Sequence, residues 1–274
     1  MIDRDLIKRA LAEDLQGGED ITSVATVSGT EKVVADFVVR KAGVIAGIEM
    51  ARAVLVEVGL TDISVLVQDG THVEAGALLL TVRGDTRAIL LAERTALNFL
   101  GHLSGIATLT RRWVDEVAGT QCAIRDTRKT TPGMRQLEKY AVRMGGGTNH
   151  RMSLSDAALI KDNHIAAAGG VVAAFSQVRA KFPNAPIEIE VDTLEQLKDV
   201  LPLKPDLVLL DNMSPQQCAE AVAIAAGSCK LEASGGISLE NAKSYALSGV
   251  DYLAIGALTH SAPVLDIGLD LRVE

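Results

Sequence analysis

No apolar run in this 274-residue sequence comes near the ~20 residues a helix needs to cross a bilayer; the runs are short, such as Ala88 to Ala92. A helical membrane protein is thereby excluded. The amino terminus, Met1-Ile2-Asp3-Arg4-Asp5, is charged and no apolar core follows it, so no secretory signal is expected. Cysteine is scarce. Cys122, Cys218 and Cys229 have no paired spacing, which argues against a disulfide framework and for buried thiols in a reducing cytoplasm. No C-x-x-C or H-x-x-x-H spacing marks a zinc site. Low-complexity stretches and solenoid-type repeats are missing. A surplus of positive charge is missing too: 27 Lys and Arg face 35 Asp and Glu, a net charge of −8, which suits neither nonspecific nucleic-acid binding nor an anionic membrane surface.

Apolar residues make up 48% and charged residues 23%, ordinary values for a chain with a sizeable buried core. The length suits one large barrel plus a smaller unit. Residues 1–20 read as a short helix with Leu6, Ile7, Ala10, Leu11 and Leu15 on one side. Val33–Arg40, Ile63–Val67 and Leu78–Val82 read as strands, with a helix over Glu49–Val58 and a turn at Asp69-Gly70. Thr86–Leu103 reads as a long helix stopped by Ser104-Gly105.

After Thr120 the pattern changes. Short apolar strands, Cys122–Thr127, Ala158–Lys161, Ile187–Val191, Leu207–Asp211, Lys230–Ser234 and Tyr252–Ile255, alternate with helical segments. That is the rhythm of βα units in a parallel sheet, and the near-continuous apolar character suits strands covered on both faces. The strands carry chemically useful groups at or near their ends: Asp126-Thr127-Arg128-Lys129, Lys161-Asp162-Asn163-His164, then Glu188, Glu190 and Asp192 on the third, Asp211-Asn212, Ser234-Gly235-Gly236 and Gly256-Ala257. In an α/β barrel those ends converge on the active-site face. The tail from Pro263 to Glu274 is expected to pack back on the first domain.

Charge is concentrated where these strands begin. Residues 122–164 hold eight Lys and Arg against four acids, leaving +4 inside an acidic protein and focusing a field on one place. Arg128, Lys129, Arg151 and Lys161 form the sharpest set: guanidinium forks match carboxylate and phosphate, and ammonium groups add point charges. A structural salt-bridge network is the plain alternative. In the helix Met134–Met144, Arg135, Lys139 and Arg143 stand at i, i+4 and i+8, a repulsion that Glu138 relieves in part and a bound anion or partner subunit would relieve further, unless the stripe is a solvated face. The turns at Ser234-Gly235-Gly236 and at Gly256 through Thr259 open helices and offer backbone N–H groups to phosphate. Glu190 and Asp211, opposite the cationic wall, are candidates to hold Mg²⁺, bond sugar hydroxyls or stabilise a developing cation. His150, biased to neutrality by Arg151, is a candidate to donate one hydrogen bond to a carboxylate.

Five stretches together resemble quinolinate phosphoribosyltransferase: Glu93 to Asn98, Ser104 to Thr108, Thr127 to Gly133, Gly145 to Arg151 and Leu159 to His164. The resemblance runs nearly end to end and takes in Glu190, Asp211, the Ser234 turn and Gly256 through His260. It implies an N-terminal α/β sandwich, residues 1–105 with the tail 263–274, and an incomplete α/β barrel, residues 106–262. It implies transfer of phosphoribosyl from phosphoribosyl pyrophosphate to quinolinate with decarboxylation and with Mg²⁺, in a cytoplasmic homodimer or dimer-based hexamer. Arg128, His150 and Arg151, with Arg94 from a neighbouring subunit, would hold the quinolinate carboxylates. Lys129, Lys161, Glu190 and Asp211 would surround the phosphoribosyl donor and its Mg²⁺, with Lys139 and Thr127 near the substrates. Ser234, Gly235, Gly236, Gly256, Ala257 and His260 would hold the 5′-phosphate. Two sister readings remain, a paralogue associated with molybdenum uptake and a nicotinate-specific enzyme; Asp162-Asn163 after Lys161 favours quinolinate. From another reaction class, Lys161 at a strand end fits a Schiff-base aldolase. A lipoyl-type binding module is the non-enzymatic reading of Asp69 through Gly76, but its lysine is missing.

Overall fold

The computed structural model describes residues 2–272; Met1, Val273 and Glu274, the ends of the two terminal segments read above, lie outside the described residues. The chain divides into two compact units, one of Met1–Arg111, Leu137–Gly146 and Ser261–Glu274, the other of Arg112–Gln136 and Gly147–His260.

The first unit opens with helix α1 (Arg4–Leu15), capped by Asp3 accepting from the Leu6 N–H, and helix α2 (Ile21–Thr26), capped by Asp20 accepting from Thr22 and Ser23. Strands β1 (Lys32–Val39) and β2 (Gly43–Val44), helix α3 (Ile48–Glu57) and strands β3 (Asp62–Val65), β4 (His72–Val73) and β5 (Leu78–Asp85) follow. Helix α4 (Thr86–Glu116) comes next, and the first unit also takes most of helix α5 (Arg135–Met144). The final strand, β12 (Ile267–Arg272), pairs antiparallel with β1, giving a four-stranded antiparallel sheet in the order β12-β1-β5-β3. All of β1 beyond Lys32 is buried. Its one buried acid, Asp36, is offset by the Thr81 hydroxyl at 2.6 Å and by Arg272 Nε at 2.6 Å.

The expected helix stop at Ser104-Gly105 is not one: α4 runs 31 residues, straight through it. Ser104 is buried and its Oγ bonds both the N–H and the carbonyl of Ala46, so it serves packing rather than capping. Gly105 is there for close approach, since a Cβ would meet the Pro263 carbonyl oxygen at 2.1 Å. Periodicity sees the glycine but not the distant backbone it must admit. The short helix read within 1–20 is α1, and α2, which Asp20 caps, follows it as an element the sequence reading did not name. The strand pair β2 and β4 and the strand β12 had no reading of their own in the sequence.

The second unit is built on six parallel strands: β6 (Ala123–Arg125), β7 (Ala158–Ile160), β8 (Ile187–Val191), β9 (Leu207–Asp211), β10 (Lys230–Ser234) and β11 (Tyr252–Ala254). Helices α6 (Asp162–Ala168), α7 (Val171–Lys181), α8 (Leu194–Val200), α9 (Pro215–Ala225), α10 (Leu239–Leu247) and α11 (Ala257–His260) alternate with them. The strand order is β6-β11-β10-β9-β8-β7, so β6 and β7 are the two edges of an unclosed sheet, an incomplete barrel. Every residue of β8 is buried, as for a strand covered on both faces. α9 and α10 each start on a capping box, Ser214 with Gln217 and Ser238 with Asn241. No helix among the described residues is long and apolar enough to cross a membrane.

Candidate active site

The carboxyl ends of the six strands enclose a cavity of about 650 Å³, lined throughout by the second unit. The β6 end supplies Thr127, Arg128 and Lys129. Asp126, fully buried, pins this end by accepting from the His150 N–H at 2.8 Å and from the Asn149 amide. Lys129 is tethered at both sides of its peptide: its N–H donates to Thr127 Oγ1 and its carbonyl accepts from Thr259. Arg128 Nε is buried with no hydrogen-bond partner among the described residues. Arg151 donates from Nη1 to the Ala157 carbonyl at 2.8 Å. Burial, and next the Arg128 charge, lower the Arg151 guanidinium below its ordinary value. Two guanidinium groups repelling each other in a half-buried wall are a place for an anion with more than one acidic group.

Across from them stand Lys161, Glu190 and Asp211. Lys161 Nζ lies 3.1 Å from Glu190 Oε2. Glu190 and Asp211 end neighbouring parallel strands. The Asp211 carboxyl is raised, first by burial and then by the charges of Glu190 and Asp192, with Lys161 opposing. Two repelling hard-oxygen donors at a polar cavity wall fit a divalent cation such as Mg²⁺. One Asp211 oxygen is already engaged by the Asn212 amide at 2.7 Å, and one Glu190 oxygen by Lys161.

The remaining wall is backbone. Gly235 and Gly236 both have positive φ, +88° and +63°, and a Cβ at Gly235 would meet Asn212 Oδ1 at 2.1 Å. Asn212 is itself left-handed (φ 52°), and its N–H donates to the Ser234 carbonyl. The turn at the β10 end thus locks onto the turn at the β9 end, and any side chain at 235 would be strained and would displace Asn212. Ser234, Gly256, Ala257 and His260 complete this wall. A Cβ at Gly256 would press on Lys129 Cδ at 3.0 Å and His260 Nε2 at 3.2 Å.

Two expected site residues are not brought to this cavity. Arg94, exposed on α4, and Lys139, fully buried on α5, both belong to the first unit. The expected stripe on α5 is solvated at Arg143, which is exposed, but not at Lys139, and Arg135 is half-buried. Lys139 is buried, Arg135 binds Thr130 Oγ1 and the Met152 carbonyl, and Arg143 lies over the Tyr140 ring.

A second, buried tier of charge went unread in the sequence. Glu188 and Glu232 lie two residues before Glu190 and Ser234 on β8 and β10, hence on the same strand faces. His150 Nε2 is 2.7 Å from Glu188 Oε2 and 3.7 Å from Glu232 Oε1. Arg125 Nη1 binds Glu232 Oε2 at 2.9 Å, with its guanidinium over the Tyr252 ring at 4.3 Å. Burial, and next the Glu188 charge, raise the Glu232 carboxyl above the ordinary range. One His and two carboxylates within 4.8 Å could be taken for a metal centre. Here a guanidinium already faces one carboxylate, and the 2.7 Å contact is a direct hydrogen bond, which leaves no room for an ion between its atoms. The available signal was an acid at i−2 inside an otherwise apolar strand; Glu188 was seen on its strand but given no role.

Comparison with known proteins supplies the family. Residues 20–104 match "Quinolinate phosphoribosyl transferase, N-terminal domain" and residues 106–270 the C-terminal domain of the same family. The chain belongs to the quinolinate phosphoribosyltransferase family. The junction between the two family segments falls inside the unbroken helix α4. Among family members, the nicotinate-nucleotide pyrophosphorylase [carboxylating] of Mycobacterium leprae is 56% identical over 98% of this chain and 96% of that protein. A probable nicotinate-nucleotide pyrophosphorylase [carboxylating] of Bacillus subtilis is 38% identical over 99% and 94%. The crystal structure of nicotinate-nucleotide pyrophosphorylase from Ehrlichia chaffeensis superposes with a TM-score of 0.94 at 40% identity, covering 98% of each chain.

Proposed function

We propose that this quinolinate phosphoribosyltransferase family member transfers the phosphoribosyl group of phosphoribosyl pyrophosphate to quinolinate and removes one carboxylate, releasing nicotinate mononucleotide, pyrophosphate and CO₂ in de novo NAD biosynthesis. The observation that carries the reading is one cavity in which Arg128, Lys129, Arg151 and Lys161 face Glu190, Asp211 and the Ser234–Gly236 turn. Arg128 and Arg151 hold the two quinolinate carboxylates, and Lys129 and Lys161 neutralise the phosphoribosyl donor. Ser234, Gly235, Gly236, Gly256, Ala257 and His260 receive the 5′-phosphate. Thr127 steadies Lys129. As pyrophosphate departs, positive charge gathers at the ribose C1, and Glu190 and Asp211 stabilise it. Alkylation then leaves the pyridine ring cationic; as CO₂ departs, its bonding pair stays on the ring carbon, stabilised by the adjacent cationic nitrogen, and takes up a proton from water, so no dedicated base is needed. Glu190 and Asp211 would hold Mg²⁺, which when bound offsets charge on the leaving pyrophosphate.

The exposed Arg94 is assigned to a neighbouring subunit's quinolinate site, in a homodimer or dimer-based hexamer, and Lys139 to a place near the substrates; the setting is the cytoplasm. The deciding experiment supplies phosphoribosyl pyrophosphate and Mg²⁺ with quinolinate or nicotinate as acceptor. CO₂ release with quinolinate and no nucleotide from nicotinate is expected; turnover of nicotinate alone would overturn the reading. For the shared site, Arg94→Ala and Lys161→Ala should each be inactive and regain activity when mixed. No recovery after verified subunit exchange would count against it.

A further inference from the structure

Nothing in the transfer chemistry calls for Glu188. It is buried at 6% exposure, and its Oε1 has no hydrogen-bond partner among the described residues. Its Oε2 makes the short contact to His150 Nε2. The other ring nitrogen, Nδ1, accepts the backbone N–H of Arg151 at 2.7 Å. A nitrogen that accepts an N–H carries no proton, so in the neutral ring the proton sits on Nε2 and is donated to Glu188. Flipping the ring or moving its proton would break both bonds. Arg151 is therefore held at its own backbone N–H, and the Nη1 bond to the Ala157 carbonyl holds the guanidinium end of the same side chain. Behind Glu188, the Arg125–Glu232 pair closes the other side of His150.

We propose that Glu188, backed by the Arg125–Glu232 pair, is a positioning residue for the acceptor-carboxylate subsite: it fixes His150 as the Nε2–H tautomer and, through the Arg151 N–H, aims the Arg151 guanidinium at the substrate. Both ring nitrogens of His150 are engaged within the protein, so its hold on Arg151 does not depend on a bound ligand. Only the identity of the anion rests on the function proposed above; the tautomer does not.

The test has two arms. In kinetics, Glu188→Leu should raise the quinolinate KM by about tenfold or more while the phosphoribosyl pyrophosphate KM stays within about twofold. Glu188→Gln, whose side-chain carbonyl still accepts from Nε2, should restore most of that loss. A rise in both KM values together, or an unchanged quinolinate KM in Glu188→Leu, would overturn the proposal. In the second arm, ¹⁵N-histidine NMR of the wild-type protein, with the His150 signal assigned by its loss in His150→Gln, should show the neutral Nε2–H tautomer at pH 7. A Nδ1–H tautomer or an imidazolium would overturn it even where a variant fails to fold. Wild-type protein with no quinolinate-dependent turnover would instead overturn the functional reading, and the NMR arm would still decide this one.

Discussion

Glu190 and Glu188 share one face of one strand, two residues apart, and their surroundings differ in kind. Glu190 lines the cavity and bonds the half-exposed Lys161 ammonium, while its neighbour Asp211 is held up by burial and by Glu190 itself. Glu188 is absent from that lining and is matched by His150, with Arg125 and Glu232 closing the set; of these, His150 and Glu232 also reach the cavity wall. The cavity tier carries unrelieved repulsion, among guanidinium groups on one wall and carboxylates on the other. The deeper tier pairs more of its charge, Arg125 with Glu232 and His150 with Glu188, while Glu188 still raises Glu232. A wall open to ligands can keep its like charges together, whereas charge in the frame beneath it needs partners close at hand.

Arg151→Ala and Lys161→Ala strike the cavity tier and should lower kcat/KM by about a thousandfold with little change in thermal midpoint. Steady-state kinetics beside a melting curve check this, and near-normal kcat/KM in Arg151→Ala would collapse the functional half of the comparison. Glu232→Leu strikes the deeper tier, leaving the half-buried Arg125 without its carboxylate, and should cost about 2–3 kcal/mol of stability, read by denaturant unfolding. A neutral result would mean that the deeper tier does not depend on its paired charge. Gly235→Ala sits between these extremes: a strained φ and a clash with the Asn212 side chain should cost about 1–2 kcal/mol and weaken binding of the phosphoribosyl donor, measured by calorimetric titration. The mildest probe is pH. Because the folded Glu232 carboxyl lies above its ordinary value of 4.5, at about 7, its contribution to stability is complete below 4.5 and is lost as pH rises through about 7. Wild-type stability should therefore fall relative to Glu232→Gln across that interval; parallel curves would remove the elevated carboxyl from the account.

What the sequence disclosed follows the same division. The six parallel strands were legible because each is a short apolar run with a polar end, and strand ends are where a barrel collects its chemistry. Arg128, Lys129, Arg151, Lys161, Glu190 and Asp211 were found that way, and the cavity holds them together. The deeper tier could not be read, because its pairs form only in three dimensions: Arg125 and Glu232 are 107 residues apart, on strands separated in the sheet by β11. The run through Ser104-Gly105 was misread for a related reason, since what selects Gly105 is Pro263, far along the chain. Local pattern carries periodicity and turn chemistry; it does not carry which distant backbone comes within contact.

The strand order has one more consequence. β6 and β7 follow one another in sequence yet form opposite edges of the sheet, so the cationic groups reach the cavity from both rims. Arg128 and Lys129 come from one rim and Lys161 from the other, and a ligand touching all three is a clasp across an open seam. Amide protons in β6 and β7 should then exchange with solvent far more slowly once the cavity is filled, while those of the interior strands β9 and β10 change little.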